Sequence, residues 1–153
     1  MYHFFLKRRL RHVVERLNAG DYAFITSQFS ANAVHWFSGE HALGGERSTP
    51  GDIQRWYQRL PKVFPGLTFT VLELIVMGPP WNTRAVLEWI DHAKDRDGRP
   101  LPNQGTFVIQ LAWGRVKSFH VYCDTAKLQR NLGIVASQGC EEAALPPIVT
   151  ALA

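Results

Sequence analysis

The residues best suited to chemistry are concentrated where a predicted strand, 117–123, runs into a predicted helix. His120, Tyr122 and Asp124 alternate along this stretch, so their side chains share one face. A carboxylate at a strand end that faces an apolar pocket loses hydration, and its pKa rises. Asp124 could then take a proton from a carbon next to a carbonyl and return it elsewhere, assisted by His120 or Tyr122. Asp124 also stands where the following helix needs an N-cap, and both roles stay open.

A second group of polar residues is expected to contact a substrate. Asp91 ends the predicted strand 83–92, where it is either a substrate contact or an ordinary turn residue close to Asp97-Gly98. His35 could exchange a proton near neutral pH, although a structural histidine is the commoner outcome. Gln110, on the predicted strand 105–113, completes this polar set.

Five tryptophans are many for a chain of 153 residues. Some of them must belong to the core, because burying an indole stabilises a fold without any ligand. Trp36, Trp56 and Trp89 are predicted to line a pocket and to form a flat apolar slot for a ring-shaped molecule. Trp81 follows two prolines and is predicted to anchor a turn.

Several other kinds of site are not indicated by the sequence. It has no Ser-His-Asp or Cys-His arrangement and no phosphate-binding glycine loop, and no two of its six histidines are spaced as an i, i+4 ligand pair. Cys123 and Cys140 are the only cysteines, and neither has a metal-ligand spacing. We therefore expect no metal and no cofactor.

The elements that position these residues begin with helices. An apolar repeat from Leu6 to Leu17 predicts a first helix. Gly20-Asp21 is typical of a helix stop followed by the cap of a second helix, 22–29. A short strand, 33–37, and a glycine-containing loop, 38–48, precede a third helix that begins at Thr49-Pro50.

The second half of the chain has strand composition. Four strands are predicted, and they span 67–77, 83–92, 105–113 and 117–123. Gly114-Arg115 is predicted as the tight turn between the last two strands. A last helix is capped at Asp124-Thr125 and stopped at Gly133, and a weakly determined tail, 134–153, follows it.

Helices followed by four consecutive strands predict an α+β domain over residues 1–133. We expect a strongly curved antiparallel sheet with the N-terminal helices packed over its concave face, so that a cone-shaped apolar space remains between them.

Four stretches of sequence carry a family resemblance. Asn18-Ala-Gly-Asp-Tyr22 and Phe29-Ser-Ala-Asn-Ala-Val34 resemble the start of the nuclear transport factor 2-like superfamily. Gly78-Pro-Pro-Trp-Asn-Thr-Arg84 and Asp124-Thr-Ala-Lys-Leu-Gln-Arg-Asn-Leu-Gly133 resemble its SnoaL-like, polyketide cyclase-like branch. The resemblance covers roughly residues 5 to 133, and the order of the motifs carries it.

The resemblance implies a cone-shaped α+β barrel that pairs through its sheet as a homodimer. It also implies that Asp124, which opens an Asp-x-x-x-Leu motif, is the acid/base. Glu88-Trp-Ile-Asp91 is similar to the Glu-Arg-Val-Asp stretch of limonene-epoxide-hydrolase relatives, but Trp89 replaces the arginine, which argues against epoxide hydrolysis. Trp36 stands where ketosteroid isomerases carry their base aspartate, so that activity is not expected either.

Charge and hydropathy restrict the partners. The net charge is +4, but the densest basic cluster, from Lys7 to Arg11, lies on one amphipathic helix and indicates a solvated face rather than a nucleic-acid site. The apolar start of the chain precedes its basic residues, which is the opposite of a secretory signal. We therefore expect a cytoplasmic protein whose partner is a small hydrophobic molecule, with no nucleic acid and no membrane.

These observations favour a cofactor-independent cyclase, isomerase or hydratase that acts on a hydrophobic carbonyl compound. Two alternatives stay open. One is a non-catalytic module of the same fold that binds a ligand without transforming it, and the other is a dimeric interaction module that pairs through its exposed sheet face.

Overall fold

The computed structural model describes residues 1–152. Four helices and one short 3₁₀ turn surround six strands. The helices are α1 (Tyr2–Asn18), α2 (Tyr22–Ser27), α3 (Pro50–Val63) and α4 (Thr125–Ser137), and the 3₁₀ turn spans Glu141–Ala144. The strands are β1 (Phe29–Phe37), β2 (Gly45–Arg47), β3 (Phe69–Met77), β4 (Thr83–Asp91), β5 (Gln104–Ala112) and β6 (Arg115–Cys123).

The strands form one curved, open sheet in the order β2-β1-β6-β5-β4-β3. The predicted antiparallel meander is confirmed for β3 to β6. However, β1 pairs parallel to β6, so the sheet is mixed and does not close into a barrel. Because 77 residues, 38–114, separate the two strands, no hairpin forces them to run antiparallel.

The predicted helix caps are present. The Asp21 side chain accepts a hydrogen bond from the Phe24 amide at 3.0 Å, and Thr49 Oγ1 accepts one from the Asp52 amide at 3.2 Å. Pro50 occupies the first turn of α3, where its missing N–H costs nothing. These caps fix where α2 and α3 begin, and so set how the two helices lie against the sheet.

One face of the sheet, called the inner face below, is covered by the helices and forms the core. Leu6 and Leu10 of α1 and Trp56 and Leu60 of α3 are buried there in one apolar cluster. The strands contribute alternate residues to the same cluster, as a half-covered sheet requires. These strand residues include Leu87, Trp89, Phe107, Ile109 and Val121.

Four local features differ from the sequence-based expectation. Helix α2 ends at Ser27 and β1 already begins at Phe29, whereas the sequence predicted a helix over 22–29 and a strand over 33–37. The β5–β6 turn is Trp113-Gly114 rather than Gly114-Arg115, because Ala112 pairs with Arg115 and both central residues have positive φ. The loop 38–48 contains β2, which is only three residues long and therefore lacks a detectable alternation. Helix α4 continues through Gly133 to Ser137, since a single glycine only weakens a helix.

The segment after α4 packs on the domain. Cys140 and Ala143 are buried in the main cluster. The Thr150 amide donates to the Glu46 carbonyl at 3.2 Å, beside the edge strand β2. Arg59 Nη1 donates to the Pro146 carbonyl at 2.7 Å. The described part of the predicted tail is thus held by α3 and β2 as well as by α4.

Candidate functional site

An apolar cavity lies between the inner face of the sheet and the helices. Its volume accessible to water is about 50 Å³. Most of its wall is aromatic. The aromatic lining residues are Phe37, Trp56, Tyr57, Phe64, Phe69, Trp89, Phe107 and Phe119. Such a wall suits a flat, hydrophobic molecule.

The rings of this wall form a row of tilted and edge-to-face contacts along the sheet. The Trp89 and Phe107 ring centroids are 5.1 Å apart, and so are those of Phe107 and Phe119. Phe69 meets Trp89 edge to face at 5.1 Å. Each of the strands β3 to β6 points one of these rings toward the inner face. The register between neighbouring strands then brings the four rings side by side.

Asp91 supplies the one carboxyl group that lines this cavity among the described residues. Its Oδ1 accepts a hydrogen bond from the Asn103 amide at 2.8 Å, and its own amide donates to the Asn103 carbonyl at 2.9 Å. Burial raises the pKa of Asp91 above its ordinary value, although the amides of Asn103 and Ala93 oppose this shift. The backbone therefore fixes the position of this carboxyl, and burial makes it easier to protonate than an exposed aspartate.

Cys123 and Asn103 complete the polar end of the cavity. Burial raises the pKa of the Cys123 thiol to about 11, so it stays protonated near neutral pH and is not a ready nucleophile. Asn103 Nδ2 donates to the Asp124 carbonyl at 3.1 Å, and its Oδ1 accepts from the Gln104 amide at 2.8 Å. Asn103 therefore holds the strand ends together.

Two further lining side chains, Tyr57 and Trp89, carry an O–H and an N–H donor. Trp89 Nε1 is buried without a hydrogen-bond partner in residues 1–152. Burial raises the pKa of Tyr57, which keeps its hydroxyl protonated as a donor. Trp56, in contrast, already donates from Nε1 to the Leu43 carbonyl at 2.9 Å. The first two can therefore donate to a ligand oxygen, whereas Trp56 contributes only its ring.

Asp124 lies outside the cavity. Its side chain is exposed, and Oδ1 accepts a hydrogen bond from the Lys127 amide at 3.0 Å at the start of α4. It borders a shallow hollow on the outer face of the sheet with Tyr122 and Gln104. Of the two roles left open by the sequence, the structure shows the helix cap.

His120 and Tyr122 also lie on the outer face. The alternation of β6 was predicted correctly, but the side that lines the cavity carries Phe119, Val121 and Cys123. Trp36 joins the outer group, with ring centroids 5.4 Å from His120 and 5.0 Å from Tyr122.

Gln110 is on the outer face as well, and its Nε2 donates to Asn82 Oδ1 at 3.1 Å. Of the predicted ligand contacts, the cavity thus brings together Trp56, Trp89 and Asp91.

His35 is fully buried beside the cavity wall. Its ring stacks on Phe119 at 5.5 Å and lies 4.5 Å from that of Trp56. Burial lowers the pKa of His35 well below its ordinary value, and the neighbouring Arg47 lowers it further, so the ring is neutral. Both ring nitrogens lack a hydrogen bond within the part of the chain that the structure describes. His35 is thus placed as a packing residue.

Sequence reasoning missed Tyr57, Asn103 and Cys123 as cavity residues. Trp89 and Asp91 are two residues apart on β4, so their side chains point to the same face of the sheet. This spacing would have predicted that Asp91 lines the cavity together with Trp89. No comparable signal marks Arg47, which is fully buried and donates from Nη2 to the Gly44 carbonyl at 3.0 Å. Its carbonyl contacts hold the loop before β2 in place.

Two general features bear on the kind of site. Within residues 1–152, no group of three or more His, Cys, Asp or Glu side chains is arranged to hold a metal ion. None of the helices in that range combines the length and the apolar character needed to cross a bilayer.

Solved structures share this architecture. An NTF2-like protein of unknown function from Burkholderia pseudomallei has a TM-score of 0.70 and 16% identity, over 81% of this chain and 94% of that one. A candidate isomerase from Bacillus subtilis has a TM-score of 0.66 and 19% identity, over 81% and 89%. TerC, co-crystallised with polyporic acid, has a TM-score of 0.68 and 16% identity, over 81% and 92%. At these identities the similarity establishes the fold alone.

The sequence comparison is more specific. No curated protein matches the chain significantly. The model of the SnoaL-like domain, however, matches residues 10–119, which is well over half of the chain and ends before Asp124. That range includes α2, α3 and all of β1 to β5, and with them most of the cavity wall and Asp91. The chain therefore belongs to the SnoaL-like domain family.

Proposed function

We propose that this protein is a cofactor-independent enzyme that moves a proton on a hydrophobic carbonyl compound held in the aromatic cavity. The observation that carries the proposal is the carboxyl group of Asp91 in a mostly aromatic wall, with a pKa raised by burial. A base whose pKa approaches the working pH exchanges protons most effectively. The reaction class is that of a cyclase, isomerase or hydratase.

The residues around Asp91 support a division of roles. The contacting rings of Trp89, Phe107 and Phe119 would hold the apolar part of the substrate. Asp91 would take a proton from the carbon next to the carbonyl and return it at another atom. The developing oxyanion would accept hydrogen bonds from Trp89 Nε1 or the Tyr57 hydroxyl, and such donors are most effective in a dry site.

The size of the cavity limits how the substrate is admitted. A volume of about 50 Å³ open to water-sized spheres holds a few water molecules, not a ring system. Binding of a one- or two-ring substrate therefore requires lining side chains to change rotamer, and we expect the near-ultraviolet circular dichroism of the aromatic wall to change on binding.

Solvent deuterium exchange tests the proposal without knowledge of the natural substrate. A panel of hydrophobic cyclic ketones and β-diketones is incubated with the protein in D₂O, and label entering the carbon next to the carbonyl is followed by NMR. We expect Asp91→Asn to reduce catalysed exchange at least 100-fold, since general acid–base catalysis contributes about 10²–10⁴.

Asp124→Asn is the matched control, because it neutralises a neighbouring carboxylate outside the cavity. It should exchange label at the wild-type rate. Equal exchange by Asp91→Asn and wild type would contradict the role of Asp91.

The second candidate is a non-catalytic binding module of the same fold. The observation that favours it is the hydrogen bond from the Asn103 amide, which stabilises Asp91 as a fixed carboxylate. This alternative predicts that a compound which perturbs the aromatic NMR signals of the cavity shows no deuterium exchange, and that Asp91→Asn weakens its binding alone.

We also propose that two copies of the chain pair through the outer face of the sheet. Leu72, Ile75, Met77 and Tyr122 are exposed there, with no helix over them. Light scattering during size-exclusion chromatography should give twice the chain mass, and Ile75→Asp should give the monomer mass. A wild-type chain that remains monomeric at high concentration would contradict the pairing.

A further inference from the structure

Three segments meet at the end of the molecule remote from Asp91. They are the start of α1, the loop 78–82 between β3 and β4, and the Trp113-Gly114 turn. His3 Nε2 donates to the Gly78 carbonyl at 2.7 Å, and the Tyr2 hydroxyl is hydrogen bonded to Thr83 Oγ1 at 2.6 Å. The Trp113 amide donates to the Pro80 carbonyl at 2.7 Å. The three segments therefore form one surface.

Four large aromatic side chains project from this surface into solvent. Phe4 is 67% exposed, Phe5 60%, Trp81 60% and Trp113 73%. The rings of Trp81 and Trp113 are 6.0 Å apart, and those of Phe4 and Phe5 are 5.8 Å apart. We call these four residues the aromatic tip. Exposed aromatic residues gathered in this way indicate an interaction site rather than part of the core.

Trp113 holds a conformation that its side chain disfavours. Its φ is 51°, in the left-handed region, and it is the one residue other than glycine with positive φ among residues 1–152. Hairpin turns with two positive φ values normally use Asn, Asp or Gly. An exposed tryptophan there gains no burial to offset the strain, and backbone strain of this kind clusters at functional sites.

The positive charge of the protein is concentrated at the same end. The stretches 1–14, 74–87 and 108–120 contain seven of the 17 Lys and Arg and none of the 13 Asp and Glu, but Glu15, Glu73 and Glu88 directly adjoin them, and Glu15 and Glu73 border one groove with Arg11. The rest of the chain has ten basic and 13 acidic residues, a formal charge of −3. None of the seven basic residues is ion paired within the described chain. This field complements an anionic surface.

The order of the residues along α1 favours a bilayer over a nucleic acid. Phe4, Phe5, Arg8 and Arg11 are all exposed, and the helical rise places the two arginines roughly 6 and 10 Å behind Phe4. An end-on contact of α1 would therefore place the two rings at the headgroup level and the arginines one to two turns behind them, within reach of lipid phosphates. A nucleic acid would instead need a basic groove with stacking rings along it.

We propose that the aromatic tip docks reversibly on an anionic lipid bilayer. Phe4, Phe5, Trp81 and Trp113 enter the interface, and the basic residues of α1 contact the lipid phosphates. Because Asp91 lies at the opposite end of β4 from the docked surface, its end of the cavity faces away from the bilayer. This inference departs from the expectation of no membrane contact, and it does not depend on the proposed proton transfer.

Vesicle co-sedimentation tests the inference with the full chain. Wild type should pellet with vesicles of 70% phosphatidylcholine and 30% phosphatidylglycerol, and should remain in solution with phosphatidylcholine alone. Arg8→Gln with Arg11→Gln should lower the partition coefficient roughly 30-fold, since each basic residue near an anionic surface contributes about fivefold. Phe4→Gln, Phe5→Gln and Trp113→Asn together should reduce pelleting at least as much.

The controls separate docking from loss of folding and from net charge. Arg99→Gln with Arg130→Gln removes the same charge elsewhere on the surface, and Leu145→Gln removes an exposed apolar side chain remote from the tip. Both should pellet as wild type does. The inference is overturned if wild type stays in solution with anionic vesicles, or if the tip variants pellet to the same extent as the controls. It is also overturned if wild type binds a single-stranded oligonucleotide in preference to the vesicles.

Discussion

Replacement of Asp124 by alanine separates helix capping from chemistry at this position. Its Oδ1 accepts the Lys127 amide at 3.0 Å, and the side chain is otherwise exposed. Loss of an N-cap costs about 1 kcal/mol of the free energy of unfolding, and loss of the negative charge at the helix N-terminus adds a few tenths. For a chain of this length we expect a fall in Tm of roughly 2–4 °C.

Thermal and urea unfolding followed by circular dichroism measure this change, and Asp124→Asn is the matched variant. Asparagine caps as well as aspartate does, so its Tm should lie close to the wild-type value. Both variants should retain catalysed deuterium exchange. The reasoning is refuted if Asp124→Ala unfolds like wild type while both variants lose exchange, because the carboxylate would then serve chemistry and not the helix.

Three further predictions rest on single residues. The folded state raises the pKa of Asp91, so the contribution of Asp91 to stability should fall as pH rises from the ordinary value of 3.8 to the raised value. Measured by urea unfolding, the stability of Asp91→Asn relative to wild type should therefore increase across that window and then level off, and a constant difference would contradict the raised pKa. Trp113→Asn should raise the Tm by relieving about 1 kcal/mol of left-handed strain, and an unchanged or lower Tm would mean that the turn is not strained. Burial raises the pKa of the Cys123 thiol to about 11, so Cys123 should react with iodoacetamide at pH 8 at least 100-fold more slowly in the native than in the urea-unfolded chain. Peptide mapping measures the two rates, and equal rates would contradict the burial of Cys123.

Local chemistry made much of the fold predictable. The caps at Asp21, Thr49 and Asp124 and the start of α3 at Pro50 depend on interactions within a few residues, and all are present. The four strands of the meander were predicted because alternation and turn residues are also local. The parallel pairing of β1 with β6 was not predictable in this way, because it joins residues far apart in the chain.

The site was harder to predict because alternation divides a strand into two faces without saying which one is covered. On β6 both faces carry aromatic residues, and the helices cover the side of Phe119 rather than that of Tyr122. On β1 the burial of two neighbouring residues is the opposite of what their hydropathy predicts. The polar His35 is buried, and the apolar Trp36 lies on the outer face. Packing of the helices decides both cases.

Carboxyl ¹³C NMR of Asp91 across a pH titration, with and without a cavity-bound ketone, tests the central claim most directly. We predict a titration midpoint above the ordinary 3.8 in the free protein, and a further shift when the ligand displaces water from the cavity. A midpoint at or below 3.8 that is unchanged by saturating ligand would contradict the claim that Asp91 is a buried acid facing the substrate.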